Sequence, residues 1–397
     1  MLATERYTKL LSPEVGLAAS HELAALTTKP TIYNLIIDVG QRLGGGEFGL
    51  DDRVGAWDVS LAGVLRRGVG EAVERYALRP PQQESHAGVE QEAQAERVVS
   101  ALRLPTPGEQ AEWMGATRVR KDAGGVVRAG RALVDADWVN LPASAAAHGR
   151  RWFGTPSGTA SHIGLDAAID SSLRELVERD AITRAWNGLL EVERVETLRG
   201  ACKSARKLAM LRESFPLHLY RVRPLVGGSY AYMAWNIEEG FAAAGSSLKG
   251  CEACAALHAS IEALQVGALL REVKESAQVE VGAGSATFAD LSGRRMSFWA
   301  SEEGLRAWRE WDERATEVTV DAGRHSDKPL TSEDVANAGY THIWVDLSDR
   351  LPSEVLGEGF RVVKSFIPEL FALPMSEGEP WNEVPGGNPP SFWEPLL

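Results

Sequence analysis

The chain has 397 residues, 44% hydrophobic and 24% charged, the balance of a folded globular protein and not of a disordered or fibrous one. Fifty-five acidic against 42 basic residues leave a formal net charge of −13, which argues against a nucleic-acid-coating protein. Such a field suits a basic or amphiphilic peptide partner, and it tolerates nucleotide only where Mg2+ and local arginine reverse it.

The N-terminus lacks the basic-then-apolar pattern of a secretion signal. Three cysteines, an odd count, point to a reducing compartment without a disulfide framework. The longest apolar runs, such as Thr31 to Val39, are too short to span a bilayer, so a cytoplasmic protein is expected. Residues 1–50 read as short strands and turns, with a loop signal at Ser12-Pro13-Glu14-Val15-Gly16 and a β-branched strand at Thr31–Val39. A helix is predicted from about Ser60 to Leu78, ended by Pro80-Pro81, and then a polar stretch over 82–98 carries no nameable chemistry. Strands follow at Val126–Val134 and Trp138–Leu141. A Gly/Ser/Thr loop at 154–160 leads into a second helix, and a connecting helix lies near Lys203–Arg212. Further strands are expected at Leu217–Val222 and Tyr230–Trp235, with Gly245-Ser246-Ser247 ahead of a third helix over Glu252 to about Val273. Thr341–Asp346 and Phe360–Phe366 read as late strands, and the tail at Pro385–Pro390 fits neither helix nor central strand.

The first two helices carry near-copies of one tetrad, Glu71-Ala72-Val73-Glu74-Arg75 and Glu175-Leu176-Val177-Glu178-Arg179, with a weaker echo at Glu262-Ala263-Leu264-Gln265 on the third. Each sits in one register on an apolar stripe: Leu61, Val64, Leu65, Gly68, Val69, Ala72 and Val73 on the first, Leu165, Ala168, Ile169, Ser172, Leu173, Leu176 and Val177 on the second. The third keeps Ala255, Ala256, Ala259, Ser260, Ala263 and Leu264. That is the helical period repeated, so three helices packing alike around one centre are expected, in a mixed α/β fold with pseudo-symmetric strand-loop-helix repeats.

Carboxylates three apart share one side of a helix, and two facing pairs would gather four negative charges. Such a cluster raises its own pKa values unless a cation neutralises it. Mg2+ takes oxygen ligands and shares them with substrate phosphates, while Arg75 and Arg179 suit phosphate or carboxylate recognition. Solvated Glu and Arg on ordinary helix flanks are the competing reading. Other motifs fall away. Gly44–Gly49 matches a dinucleotide fingerprint as a string only, and no Walker A, HExxH or GxSxG occurs. Cys251-Glu252-Ala253-Cys254 lacks further zinc ligands at sensible spacing and reads as two core-facing thiols; the twelve Trp read mostly as packing, Trp186 among them.

The run Ser157-Gly158-Thr159-Ala160 followed by Glu175–Ala181 resembles the YcaO family, whose hallmark is a Ser/Asn-Gly-x-Ala loop before a helix ending ExxERDA. Gly70–Tyr76 resembles that family's GExxERY motif, Glu262–Gln265 its ExxQ motif, and Val362–Leu370 its late strand-Pro motif. Ser12-Pro13 with Gly16, and Pro142-Ala143, are further echoes. The likeness covers nearly the whole chain, implying one YcaO-like domain over 1–397: N-terminal strands and loop to 50, an ATP-binding core over 51–375, and a Pro-rich tail over 376–397. It implies ATP- and Mg2+-dependent phosphorylation of a peptide backbone amide, the oxygen being lost after attack by a nucleophile. Carried over, Glu71, Glu74, Glu175 and Glu178 become Mg2+ ligands, Arg75 and Arg179 contact phosphates or hold those carboxylates, and Ser172, Glu262 and Gln265 line the nucleotide pocket. Many such cyclodehydratases end in a PxPxP tail whose carboxylate is proposed as a base; Pro389–Leu397 departs from that form, which weakens a role for the Leu397 carboxylate. Gly55-Ala56-Trp57 also lacks the Lys of the stand-alone type's Gly-Lys-Gly, and Ser157 stands where Asn is frequent.

The resulting expectation is a cyclodehydratase similar to the microcin-synthetase subunit. It would make thiazoline or oxazoline rings from Cys, Ser or Thr of a ribosomally made precursor peptide. Its expected partners are a separate ubiquitin-activating-like, leader-binding protein and a flavin dehydrogenase, with no nucleic acid and no membrane. Thioamide or macroamidine formation, and a non-catalytic scaffold, are the rival readings.

Overall fold

The structure, a computed structural model, describes residues 3–40, 53–79, 96–98, 113–140, 155–238, 240–275, 288–322, 328–371, 384–390 and 395. The chain divides into two compact units, each built from separated segments. Unit 1 comprises Met1–Leu26, Tyr33–Leu176 and Pro329–Leu370; unit 2 comprises Thr27–Ile32, Val177–Lys328 and Phe371–Leu397. The fold is mixed α/β, as the strand and helix patterns require.

Unit 1 opens on a helix, α1 (Ala3–Leu10), where strands and turns were expected. Glu5 in its first turn and Lys9 in its last complement the helix dipole, and Leu10 is fully buried. The loop signal at 12–16 is a single 3-10 turn over Pro13–Val15, closed by Gly16 at φ 78°. β1 (Ala18–Leu26), β2 (Ile32–Val39) and β3 (Arg53–Asp58) form a three-stranded sheet, in which Gly55-Ala56-Trp57 is strand. Then comes α2 (Leu61–Ala77), the first tetrad helix, capped by the Ser60 hydroxyl, which accepts from the Gly63 amide at 3.2 Å. The predicted stripe is buried except for Leu61 in the first turn, and Gly63 and Ala77 are buried with it.

β4 (Glu96–Arg97), β5 (Trp113–Lys121) and β6 (Val127–Asp135) come next. The strand expected at 138–141 is instead a helical turn, α3 (Ala136–Val139), because the Asp135 carboxylate accepts from the Asp137 amide at 3.0 Å and starts it. β7 (Thr159–Ile163) leads into α4 (Leu165–Trp186), the second tetrad helix, within which the division between units falls.

Unit 2 continues with β8 (Val192–Arg199), α5 (Lys203–Ser214), β9 (Leu217–Val222), β10 (Ala231–Glu238), β11 (Phe241–Leu248) and α6 (Glu252–Glu275). α7 (Phe288–Trp299), α8 (Glu302–Asp312) and β12 (Thr316–Asp321) complete it, and its sheet runs β11-β10-β9-β8-β12. Back in unit 1, α9 (Ser332–Asn337), β13 (His342–Asp346), α10 (Ser353–Gly357) and β14 (Phe360–Phe366) close the order β4-β6-β5-β13-β14-β7.

Gly245-Ser246-Ser247, which stands ahead of the third helix, lies in β11, buried and in antiparallel register with β10 from Ala231↔Leu248 to Glu238↔Phe241. Its small residues admit α6 at close range: a Cβ on Gly245 would lie 2.4 Å from both the Ala259 carbonyl and the Ala263 amide. Gly245→Ala therefore forces backbone apart, and a loss of about 1–3 kcal/mol or more in denaturant unfolding is expected. By length and composition α6 could cross a membrane, which corrects the expectation of runs too short; 61% of its most apolar 18-residue window is buried, and it packs on β10 and β11. Four of the described tryptophans pack as expected. Trp186, Trp235, Trp299 and Trp311 pack ring on ring in unit 2, centroids 5.2–6.2 Å apart. The three thiols are free, and Cys251 packs with Ala205 and Ala253.

Candidate functional site

In unit 1, α2 and the first half of α4 bring Glu71 and Glu175 into electrostatic range of Glu74, with Arg75 beside Glu71. The apolar stripe fixes α2 by burying Gly68, Val69, Ala72 and Val73, which leaves the Glu71 and Glu74 positions at the edge of the buried face. Glu74 Oε1 accepts the Ser161 amide of β7 at 2.8 Å, and the Ser161 hydroxyl donates to the Gly70 carbonyl at 2.8 Å. A side chain at Gly70 would crowd that hydroxyl, a Cβ falling 3.3 Å from it. Arg75 pairs loosely with Glu71, at 4.0 Å and one helical turn away.

Burial pushes the Glu74 carboxyl up to about 8. The Ser161 amide opposes that, and the neighbouring Glu175 and Glu71 charges add to it. The pocket also holds a cation that the tetrad pattern did not reveal. Lys364, 2% exposed on β14, is pushed down to about 7 by burial, with Glu175 working against the fall and Arg75 adding to it. The signal was visible in the sequence as one lysine inside the Val362–Phe366 strand.

Ser172 stands apart from these groups. It is fully buried; its hydroxyl donates to the Ile169 carbonyl at 2.9 Å and pairs with Ser365 Oγ at 2.7 Å. Ser365 in turn meets His342 Nε2 at 3.0 Å, and burial pushes that imidazole down to about 3, so it is neutral.

In unit 2, the remainder of the tetrad is held by β11. Glu178, 8% exposed, accepts the Ser246 hydroxyl at 2.5 Å and the Leu248 amide at 2.6 Å. Arg179 donates to the same Ser246 hydroxyl at 3.3 Å, and the Ser246 amide donates to Glu262 at 2.8 Å. Gln265 lies three residues further along α6, half-buried. One hydrogen-bond pattern thus occurs in both units: a tetrad glutamate accepts a main-chain amide from the strand that precedes the next tetrad helix. Asp180 is structural. Its buried carboxylate takes the Arg184 guanidinium at 2.9 Å and the Phe371 amide at 2.9 Å. Leu397, Pro142-Ala143 and Gly44–Gly49 lie outside the described residues.

Among the described residues, no three His, Cys, Asp or Glu side chains converge closely enough to hold an ion unaided. The donor set still fits Mg2+, which keeps near-octahedral geometry with one or two carboxylates and completes its shell with phosphates and water. Clustered carboxylates that raise one another's pKa are stabilised when such a cation arrives.

A family model described as YcaO cyclodehydratase, ATP- and Mg2+-binding, matches residues 64–371. No curated protein matches the chain. Among solved structures, YcaO from Methanopyrus kandleri bound with AMPPCP and Mg2+ aligns over 94% of this chain and 91% of its own, at 18% identity and TM-score 0.61. A heterocyclase in complex with substrate and cofactor aligns over 93% of this chain at 17% identity and TM-score 0.64; the chain spans about half of it (52%). The E. coli microcin synthetase McbBCD complex with pro-MccB17 bound aligns over 89% of each chain at 13% identity and TM-score 0.56.

Proposed function

The chain belongs to the YcaO family of ATP- and Mg2+-binding cyclodehydratases, and on that premise we propose that it activates backbone amides of a ribosomally made precursor peptide to form thiazoline or oxazoline rings. The observation that carries the reading is the acidic cluster of unit 1, where Glu74 accepts the Ser161 amide at 2.8 Å and the Glu71 and Glu175 charges help to hold its carboxyl near 8. Isolated surface glutamates do not behave so, and a scaffold gains nothing from desolvating them together.

Bound Mg-ATP supplies the phosphoryl group and neutralises the charge that builds up on it. The chain's residues position and compensate. Glu71, Glu74, Glu175 and Glu178 are the proposed cation ligands, and Arg75 and Arg179 are placed to meet phosphate oxygens. The Ser161 amide orients Glu74, while Ser246 and Leu248 orient Glu178. Glu262, tied to the Ser246 amide, and Gln265 are assigned to the nucleotide pocket. Ser172, assigned a nucleotide role from the family alone, is buried in unit 1 against Ser365. A catalytic role for the Leu397 carboxylate remains a proposal from the family alone. The likeness to a synthetase complex solved with pro-MccB17 bound supports a peptide substrate and partner proteins; the partners proposed are a ubiquitin-activating-like, leader-binding protein and a flavin dehydrogenase that oxidises the rings.

The test is mass analysis of a Cys- and Ser-containing precursor after incubation with the protein, its partner and Mg-ATP. Loss of water, one per ring, is the expected result. Exchange of oxygen for sulfur would replace ring formation with thioamide chemistry, and an unmodified peptide without ATP consumption would refute an enzymatic role.

A further inference from the structure

Lys364 is costly where it stands. An ammonium buried to this degree needs partners for its protons and a counter-charge. Both are present in unit 1. Nζ donates to the Ser157 carbonyl at 2.7 Å and to the Thr155 carbonyl, and Glu175 supplies the negative charge. Those carbonyls belong to the turn that precedes β7. The turn is tight: Gly158 is left-handed at φ 77°, the Thr159 amide donates to the Pro156 carbonyl at 3.0 Å, and the Ser157 amide donates to Thr155 Oγ1 at 3.1 Å. No side chain fits at Gly158, where a Cβ would lie 2.6 Å from the Ser365 carbonyl. The Gly158 carbonyl accepts the Ser365 amide at 2.7 Å, and Lys364 stands opposite Thr159 in the β14–β7 register. Two residues beyond Thr159, the Ser161 amide grips Glu74. A continuous path therefore runs from the ammonium, through two main-chain carbonyls and β7, to the carboxylate.

We propose that Lys364 is a positioning residue: by pinning the Thr155 and Ser157 carbonyls it fixes the turn before β7 and so sets where Glu74 presents its carboxylate to a cation. The inference rests on the reading of Glu74 as a cation ligand. Lysine suits the task because two converging carbonyls need donors on a long flexible stem; methionine has none, and glutamine carries two on a shorter, planar amide that also sets an acceptor there.

The decisive variant is Lys364→Met, which keeps the stem and removes the donors. In the metal-free protein, amide exchange at Thr159 and Ser161 should quicken by about tenfold, while amides of the β13–β14 pairing keep their rates. In ATP turnover, the Mg2+ concentration for half-saturation should rise about tenfold, with a smaller fall in kcat at saturating Mg2+. Loss of folded protein alone would lower kcat without moving the Mg2+ dependence. Arg361→Gln, on the same strand, should change neither readout. Should Lys364→Met fail to fold, Lys364→Gln, with a shorter side chain and no charge, decides by the same two measurements. Unchanged exchange and unchanged Mg2+ dependence in a folded variant overturn the inference, even where Glu175→Gln still abolishes turnover. A wild-type protein without Mg2+-dependent turnover would instead overturn the functional reading, and the exchange rates would still judge the turn.

Discussion

Glu175→Gln is expected to lower ATP turnover by at least about 10²–10³-fold while unfolding stays cooperative at nearly the wild-type midpoint. The substitution is close to isosteric and removes one negative charge from a half-buried position on α4. Its energetic consequences differ between the two states. Without metal, the loss of Glu175 relieves a like charge beside Glu74 but removes the counter-charge of Lys364, so the two effects offset in the apo protein. With Mg2+ and phosphates bound, the same loss removes a ligand at the point where charge builds up. Glu178→Gln should be equally inactive but less stable, by about 1–3 kcal/mol. Its carboxylate accepts from two donors, Ser246 Oγ and the Leu248 amide, and the amide group of glutamine sets a donor against one of them. Turnover measured beside denaturant unfolding separates the two variants. Unchanged turnover in folded Glu175→Gln would refute the assignment of α4 to the site.

Much of this architecture was legible because the tetrad helices repeat one buried stripe, and burial follows period wherever a helix has one apolar face. α2 and α6 begin within a residue or so of the expected positions for that reason, Ser60 capping the first. β11 was hidden since Phe241–Leu248 is mostly Ala, Gly and Ser, residues with no strand signature of their own; only the approach of α6 explains them. α3 was misread because a single carboxylate cap at Asp135 outweighed the β-branched and aromatic character of Trp138-Val139. Of the candidate site, sequence supplied the glutamates and arginines. It could not supply what holds them, since the Ser161 and Leu248 donors are main-chain amides and carry no side-chain identity. Lys364 was present in the sequence as an anomaly, but its partners are main-chain carbonyls and equally silent.

Mg2+ binding is expected to release close to one proton near pH 7, and its affinity to climb by up to about tenfold per pH unit between about pH 6 and 8, levelling off above. The Glu74 carboxyl sits near 8 through burial first and the Glu175 and Glu71 charges second. At neutral pH it is thus largely protonated, and a cation must displace that proton. The sign for stability follows from the same shift. A carboxyl raised above its unfolded value of about 4.3 lends the metal-free fold most support below that pH and loses it progressively as pH rises through about 8. Lys364 acts in the opposite sense: held near 7 by burial, below its unfolded value of about 10.4, it penalises the fold below pH 7 and ceases to do so as pH rises toward 10. Titration calorimetry in two buffers of different ionisation enthalpy counts the released protons directly. Glu74→Gln should bind Mg2+ more weakly and with little pH dependence over the same range. Wild-type affinity that stays flat from pH 6 to 8, with no proton released, would mean that the cation does not meet Glu74 at all.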